Sequence, residues 1–381
     1  MINPKLFLKA LKNSNINFIT GVPDSLLKDI CAYISKNISS TQHIIATNEG
    51  SAIGLAIGNY LATNEVPLVY MQNSGIGNII NPLTSLADPK VYGIPILLMI
   101  GWRGEIDKNG FQISDEPQHK KQGEITLKQL EILEIPYKII GSEEQEIGEI
   151  ISKSVNNAKK RNGPVAIVVR RKTFAPYILS KKDNEKFFSP LSKREDVIRE
   201  IIKNIPKDIP IISTTGVSSR ELFEIRSKNR DSHNSDFLTV GGMGHANQIA
   251  TGIALAKKDK KVFCIDGDGA ILMHMGGLAI NAEQENLVHI LINNGVHDSV
   301  GAQPTKGVKL DFSRIAKELG YKFTYRTKHI DSLKDLIEKN LKLKGSIFIE
   351  ILCTPGFRED LGRPTKSTYE NKKDFMNFLS N

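Results

Sequence analysis

The run KVFCIDGDGA, residues 261–270, passes from β-branched and aromatic residues straight into Gly267-Asp268-Gly269, and a second apolar run, residues 286–294, ends in Asn293-Asn294. Short apolar runs closed by glycine or polar residues read as buried strands. With room for only a short helix between them, the two strands run parallel. A crossover then brings both C-terminal ends to one edge of a sheet. Asp268 and Asn294 converge there beside backbone amides. This is what a hard cation such as Mg²⁺ needs to carry a diphosphate: it takes one or two oxygens from protein and the rest from phosphate and water. A lone Gly-Asp-Gly is an ordinary turn; the asparagine pair closing the next strand distinguishes this one.

The same alternation runs through the chain and predicts an α/β fold of two doubly wound parallel sheets. In the first half a helix over 5–13 precedes strands at 18–21, 43–46, 66–70, 94–100 and 164–169. Arg170-Arg171-Lys172 then opens a polar stretch, and residues 180–186 are charged and aperiodic, as a linker is. The second half carries strands at 209–212, 236–240, 262–265, 288–292 and 346–351. Expected domains are 1–180 and 190–357, with 358–381 as a polar C-terminal arm. The halves share an architecture without a visible sequence repeat.

Bulk properties exclude several classes. The chain has 381 residues and a net charge of +9, but its lysines are dispersed, without a basic block or aromatic-interleaved patch, so nucleic acid is not an expected partner. The positive balance suits an anionic substrate. Cys31, Cys264 and Cys353 are odd in number and set in apolar runs, as reduced core residues are. No signal-peptide core or membrane-length apolar stretch is present, so no membrane partner is expected and the cytoplasm is the expected compartment.

Three further segments carry candidate chemistry. Glu49 opens a small-residue helix after a strand; a carboxylate there either complements the helix dipole or faces a ligand. Val240-Gly-Gly-Met-Gly-His245 is either a plain glycine turn or a place where backbone approaches a flat ring with Met243 as a wedge, and His245 is equally a cap residue. Thr214-Thr-Gly-Val-Ser-Ser219 offers hydroxyls and amides at a helix start, which suit a phosphate or an N-cap.

The spacing of Gly267-Asp268-Gly269 and Asn293-Asn294 resembles the thiamine diphosphate signature of transketolases and 2-oxoacid decarboxylases, and Glu49 is a second anchor for it. Nearly the whole chain is similar to the phosphonopyruvate decarboxylases. The matching stretches are TGVPDSLL (20–27), NEG (48–50), YMQNSGIGN (70–78), NPLTSLADP (81–89), GWRGE (101–105), DEPQHKKQG (115–123) and NNGVHDSVGAQPT (293–305). Residues 106–114 are longer than the pattern and are expected as a surface loop.

The resemblance implies a pyrimidine-binding domain followed by a diphosphate-binding domain, with no middle domain. It implies thiamine diphosphate and Mg²⁺, with the metal on Asp268, Asn294 and the Val296 carbonyl. Glu49 would meet N1′ of the aminopyrimidine and favour the tautomer whose 4′ nitrogen takes a proton. Gly241, Met243, Gly267, Gly269, Ala270 and Ser218 would complete the cofactor contacts. The cofactor would lie between subunits, making a homodimer the minimum.

The implied reaction is decarboxylation of 3-phosphonopyruvate to phosphonoacetaldehyde through the cofactor's ylide and enamine, in the synthesis of 2-aminoethylphosphonate-type compounds. A substrate with two anionic groups calls for cations and donors. Arg103, Lys120, Asn73 and Ser74 are the substrate candidates, and Asp24, Ser25, His119 and His297 the catalytic ones. Arg103 could instead pair with Glu105 on the surface, and His119 could be a loop residue. Gln72 is expected in the same pocket and Trp102 in packing. A sulfopyruvate decarboxylase or a thiamine diphosphate-dependent carboligase would use the same cofactor residues. A non-catalytic thiamine-binding subunit would have dispensed with Glu49 or the Asp268/Asn294 pair, and both are present.

Overall fold

The structure, a computed structural model, describes residues 1–177 and 191–380. The chain divides into two compact units, Met1–Ser180 and Lys181–Asn381. The expected linker at 180–186 lies outside the described residues.

The first unit runs α1 (Pro4–Asn13), β1 (Ile19–Gly21), α2 (Lys28–Asn37), β2 (His43–Ile45), α3 (Glu49–Thr63), β3 (Leu68–Gln72), α4 (Ile76–Pro82), β4 (Leu97–Gly101), α5 (Pro117–Ile132), β5 (Tyr137–Ile140), α6 (Ile147–Arg161) and β6 (Val165–Val169). Its sheet has the order β2-β1-β3-β4-β6-β5, all parallel. Both faces are buried, so the strands read as continuous apolar runs. Alternate residues go to opposite layers. Leu97 and Met99 join the core under α1, α2 and α6, while Leu98 and Ile100 join the one under α3, α4 and α5.

The second unit runs α7 (Arg194–Asn204), β7 (Ile211–Ser213), α8 (Val217–Asn229), β8 (Asp236–Leu238), α9 (Ala246–Ala256), β9 (Val262–Gly267), α10 (Asp268–Met273), α11 (Leu278–Asn281), β10 (Leu287–Asn293), β11 (Val296–His297), β12 (Gln303–Pro304), α12 (Phe312–Glu318), β13 (Phe323–Thr327), α13 (Ser332–Leu341), β14 (Ile347–Leu352) and α14 (Thr368–Ser380). The main sheet has the order β8-β7-β9-β10-β14-β13, again all parallel. Numbered within each unit, both sheets read 2-1-3-4-6-5. The strand order reverses between the first and third strands, and ligands of open α/β sheets bind beyond the strand C-termini at such a switch point. Every segment singled out for chemistry, except the helix start at Glu49 and the glycine turn at 240–245, follows the first, third or fourth strand of its unit or lies on the helix beyond.

Two strands of the main sheets, β5 and β13, were not anticipated, nor was the short antiparallel pair β11–β12. The mixed polarity of β5 and β13 (YKII and FTYRT) reflects edge positions with partial exposure. The expected C-terminal arm is also more structured than its polarity suggests. Phe375 of α14 is buried against Phe237, and Asn371 bonds to both backbone groups of the edge strand β8: its Nδ2 donates to the Asp236 carbonyl (2.8 Å) and its Oδ1 accepts from the Leu238 N–H (3.2 Å). Leu379 packs on the same cluster, and Lys260 lies over the Phe378 ring. Among the described residues no helix is long and apolar enough to cross a membrane, and the three cysteines are buried and unpaired.

Candidate active site

In the first unit Glu49 is the opening residue of α3, whose N-cap Asn48 accepts a hydrogen bond from the Ser51 N–H (2.8 Å). The cap fixes the helix start, and the Glu49 side chain is buried rather than displayed to water. Asn78 Nδ2 donates to its Oε2 at 2.7 Å. Gly75 makes room for it: a methyl at that position would lie 2.6 Å from Glu49 Cγ. A carboxylate complementing a helix dipole needs no such niche.

A second group surrounds the ends of β1, β3 and β4. Asp24 is fully buried; Gln72 Nε2 donates to its Oδ1 (2.7 Å) and the Leu26 N–H to its Oδ2 (3.0 Å). Burial raises its carboxyl above the usual range against these donors and the Arg103 charge. The exposed Ser74 hydroxyl donates to Gln72 Oε1 (2.9 Å). Arg103 lies against Asp115, with Nε to Oδ2 at 2.8 Å, and its Nη1 donates to Ser25 Oγ (2.7 Å). The surface pair of Arg103 with Glu105 does not form. Glu105 is buried, 3.9 Å from Arg170, and accepts from the Arg171 N–H; Gly104, at φ +64, turns the chain between the two residues.

His119 is in α5, not in a loop. It is buried and its Nδ1 has no hydrogen-bond partner. Burial and the Arg103 charge lower it to about 4, against the pull of Asp115. Asn73 is a strut: its Nδ2 donates to the Arg103 carbonyl and to Thr126 Oγ1, both at 2.9 Å. Lys120 is exposed on α5, and the structure does not bring it into this group. Trp102 is buried in the packing, as expected, its Nε1 donating to the Gly123 carbonyl (2.9 Å). Residues 106–114 fold back through the Ile106–Gln112 bridge.

In the second unit Asp268 opens α10 directly after β9 and is 2% exposed. The Thr305 hydroxyl donates to it, as does the Asn294 backbone N–H. Burial still pushes its carboxyl up to about 6. A nearby cation would offset that burial. Gly307 backs the carboxylate so closely that a methyl there would lie 2.8 Å from Asp268 Cβ.

The two asparagines divide the work. Asn293, in the strand, braces the sheet, its Nδ2 donating to Glu350 (2.9 Å) and the Gly307 carbonyl (3.1 Å). Asn294 lies beyond the strand, and its Nδ2 donates to Asp298 Oδ2 (2.7 Å). His297 packs on Gly269, where a methyl would lie 2.6 Å from its Cε1, and burial lowers its imidazole to about 4. Ala270 and Ser218 are buried in the first turns of α10 and α8. Thr214 Oγ1 is buried without a partner. The glycine turn has Gly242 at φ +65 and Gly244 at φ +92, with Met243 half-buried and the His245 ring nitrogen 3.0 Å from the Gly242 carbonyl.

These residues fit a diphosphate and its metal. The donor set of Asp268 carboxylate, Asn294 carboxamide and Val296 carbonyl is all oxygen, as Mg²⁺ prefers. The orphaned Thr214 hydroxyl and the amides opening α8 suit phosphate oxygens. The sequence reading missed Thr305, Gly307, Asp298, Asn78 and Asp115, and Gly75 as the niche for Glu49. All but Gly307 lie in the stretches that resemble the family, but which of those polar residues acts depends on the partner each one meets in the fold.

Comparison with known proteins agrees with this chemistry. Residues 4–132 match the thiamine pyrophosphate enzyme N-terminal TPP binding domain, and residues 214–351 the corresponding C-terminal TPP binding domain. The phosphonopyruvate decarboxylase of Streptomyces viridochromogenes is 30% identical over 402 residues, covering 100% of this chain and 96% of the relative. That of Streptomyces hygroscopicus is 29% identical, covering 100% and 94%. A sulfopyruvate decarboxylase of Methanosarcina acetivorans is 25% identical, covering 93% and 92%. Full-length similarity to two phosphonopyruvate decarboxylases, with both binding domains matched, places this chain in the phosphonopyruvate decarboxylase family of thiamine pyrophosphate enzymes.

Proposed function

We propose that this chain decarboxylates 3-phosphonopyruvate to phosphonoacetaldehyde and carbon dioxide, as a cytoplasmic enzyme that uses thiamine diphosphate and Mg²⁺. The observation that carries the reading is the full-length similarity to two phosphonopyruvate decarboxylases, with the carboxylate and metal-type ligands in place. When bound, the thiazolium supplies the electron sink that loss of carbon dioxide requires. Glu49, oriented by Asn78, would hold the aminopyrimidine at N1′. Asp268, Asn294 and the Val296 carbonyl would hold the metal, while Gly241 and Met243 would support the ring.

Arg103 and Ser25 would meet an anionic end of the substrate, with Asp24 and His119 beside them. His119, kept neutral by its surroundings, offers a lone pair or an N–H without adding charge. The reading includes a homodimer in which Glu49 of one copy and Asp268 of the other serve the same cofactor.

Sulfopyruvate is the alternative substrate, favoured by the relative of that specificity. The test is carbon dioxide release by purified protein from phosphonopyruvate, sulfopyruvate and pyruvate, with thiamine diphosphate and Mg²⁺ present or each omitted. Release from phosphonopyruvate alone, dependent on both additions, is expected. Preference for sulfopyruvate would overturn the substrate and keep the cofactors. No release from any of the three, with the cofactor bound, would point to a carboligase.

A further inference from the structure

A carboxamide is a two-faced ligand: its oxygen binds a cation and its NH₂ repels one. The two ends exchange by a rotation about one bond, so an asparagine that serves a metal needs something to choose its orientation. In this chain two contacts do so: the Val296 N–H donates to Asn294 Oδ1 (3.2 Å), and Asp298 holds the opposite end with the shorter bond. A carboxylate only accepts, so it fixes the NH₂ of Asn294 toward itself, Nδ2 to Oδ2 at 2.7 Å, and turns Oδ1 the other way.

Asp298 is itself locked. Arg194 Nη1 donates to its Oδ2 (2.6 Å) and the Gly356 N–H to its Oδ1 (2.9 Å). Arg194, the first residue of α7, is held by Glu221 of α8, with Nε to Oε2 at 2.8 Å, and its Nη2 donates to the Gly356 carbonyl (3.3 Å). All three side chains are buried: Arg194 is 6% exposed, Asp298 4% and Glu221 1%. The charge of Asp298 reaches Asp268. Arg194, Glu221 and Gly356 thus brace Asp298, and Asp298 alone among them touches the Asn294 side chain.

We propose that Asp298, braced by Arg194, is a positioning residue that presents Asn294 Oδ1 to the cation; the inference rests on the thiamine diphosphate–Mg²⁺ reading of the site. A structural ion pair would explain the burial of Arg194 and Glu221. It would not require the carboxylate to spend one oxygen on the asparagine NH₂.

The test uses the full chain with thiamine diphosphate and reads Mn²⁺ affinity from the loss of the free-ion paramagnetic resonance signal. Asp298→Ala is expected to weaken Mn²⁺ binding about 10- to 100-fold. In an Asn294→Asp background the same change is expected to cost nothing, because a carboxylate presents oxygen whichever way it turns. Denaturation of the metal-free variants is measured alongside. If Asp298→Ala lowers only the denaturation midpoint and leaves Mn²⁺ affinity unchanged, or weakens binding equally in both backgrounds, the inference is overturned. If Asp298→Ala does not fold, Asp298→Asn takes its place in both backgrounds. Its carboxamide preserves the shape but sets a donor against either Gly356 or Asn294, and the same contrast is expected. Wild-type protein that binds no Mn²⁺ beside thiamine diphosphate would overturn the cofactor reading and the inference with it. Wild-type binding with no effect of Asp298→Ala would overturn the inference alone.

Discussion

At the scale of single residues, the two units set their carboxyl groups in different surroundings. Glu49 is held by one carboxamide in a niche left by a glycine, and Asp268 by a hydroxyl and a backbone N–H in full burial. Glu49→Gln keeps the shape and the Asn78 contact but removes the acid–base capacity. Carbon dioxide release is expected to fall about 10²- to 10⁴-fold with little change in the denaturation midpoint. A midpoint that fell in step with activity would count against that role.

His119 sets a pH dependence of stability. Its folded value of about 4 lies below the ordinary 6.5 of an unfolded chain. Between those values the unfolded state binds a proton that the native state does not, so stability falls as pH drops through that window. Replacing the group by His119→Asn is expected to flatten the decline of the urea midpoint from pH 6.5 to 4. An unchanged slope would show that other groups set it.

At the scale of elements, the site is built where helices begin. Three chemistry-bearing helices, α3, α8 and α10, open at Glu49, Val217 and Asp268. The amides exposed there are what phosphates and carboxylates use. Glycines between these starts hold the space for the side chains, and Gly75 is the clearest case. Gly75→Ala places a methyl 2.6 Å from Glu49 Cγ. The helix that follows is not interrupted, so the fold is expected to persist while carbon dioxide release falls at least tenfold, since small misplacements of a reacting group carry costs of this order. Circular dichroism with the release assay checks both halves of that statement.

The same scale explains what the sequence hid. Burial on both faces made β3, β4, β6, β9, β10 and β14 legible as apolar runs. The edge strands β5 and β13 escaped because one side meets water. α14 escaped because only Asn371 and Phe375 of its thirteen residues are buried, too few to set an apolar period.

At the scale of the whole molecule, two units with the same strand order each carry part of the cofactor set we propose: Glu49 in the first, Asp268 and Asn294 in the second. If one cofactor draws on two copies, chains carrying Glu49→Gln and chains carrying Asp268→Asn, each inactive alone, will complement when unfolded and refolded together. Half of the dimers formed at random are mixed, and one of the two sites in each is intact. About a quarter of wild-type activity is therefore expected. No recovery, with mixed dimers shown to form, would place both residues of a site in one copy.

The sequence by itself determined the α/β class and the parallel sheets, and it singled out the residues proposed for the cofactor. Apolar periodicity and glycine-bounded strand ends are local properties, and local patterning suffices to fix which strand end carries Asp268 and which Asn294. It also determined that Trp102 packs. What only the tertiary structure decided is which groups are free to act. Arg103 was expected either at the substrate or on Glu105, and it lies against Asp115. Asn73 was expected to line the pocket and is a strut, while Lys120 points to water. Asn293 and Asn294 are indistinguishable as letters, yet one braces the sheet and the other is oriented by Asp298 and Arg194. The physical reason is that a polar side chain's role is set by the partner that satisfies its hydrogen bonds on burial. Those partners lie 104 residues away for Arg194 and Asp298 and 57 for Asn293 and Glu350, beyond the reach of any local pattern.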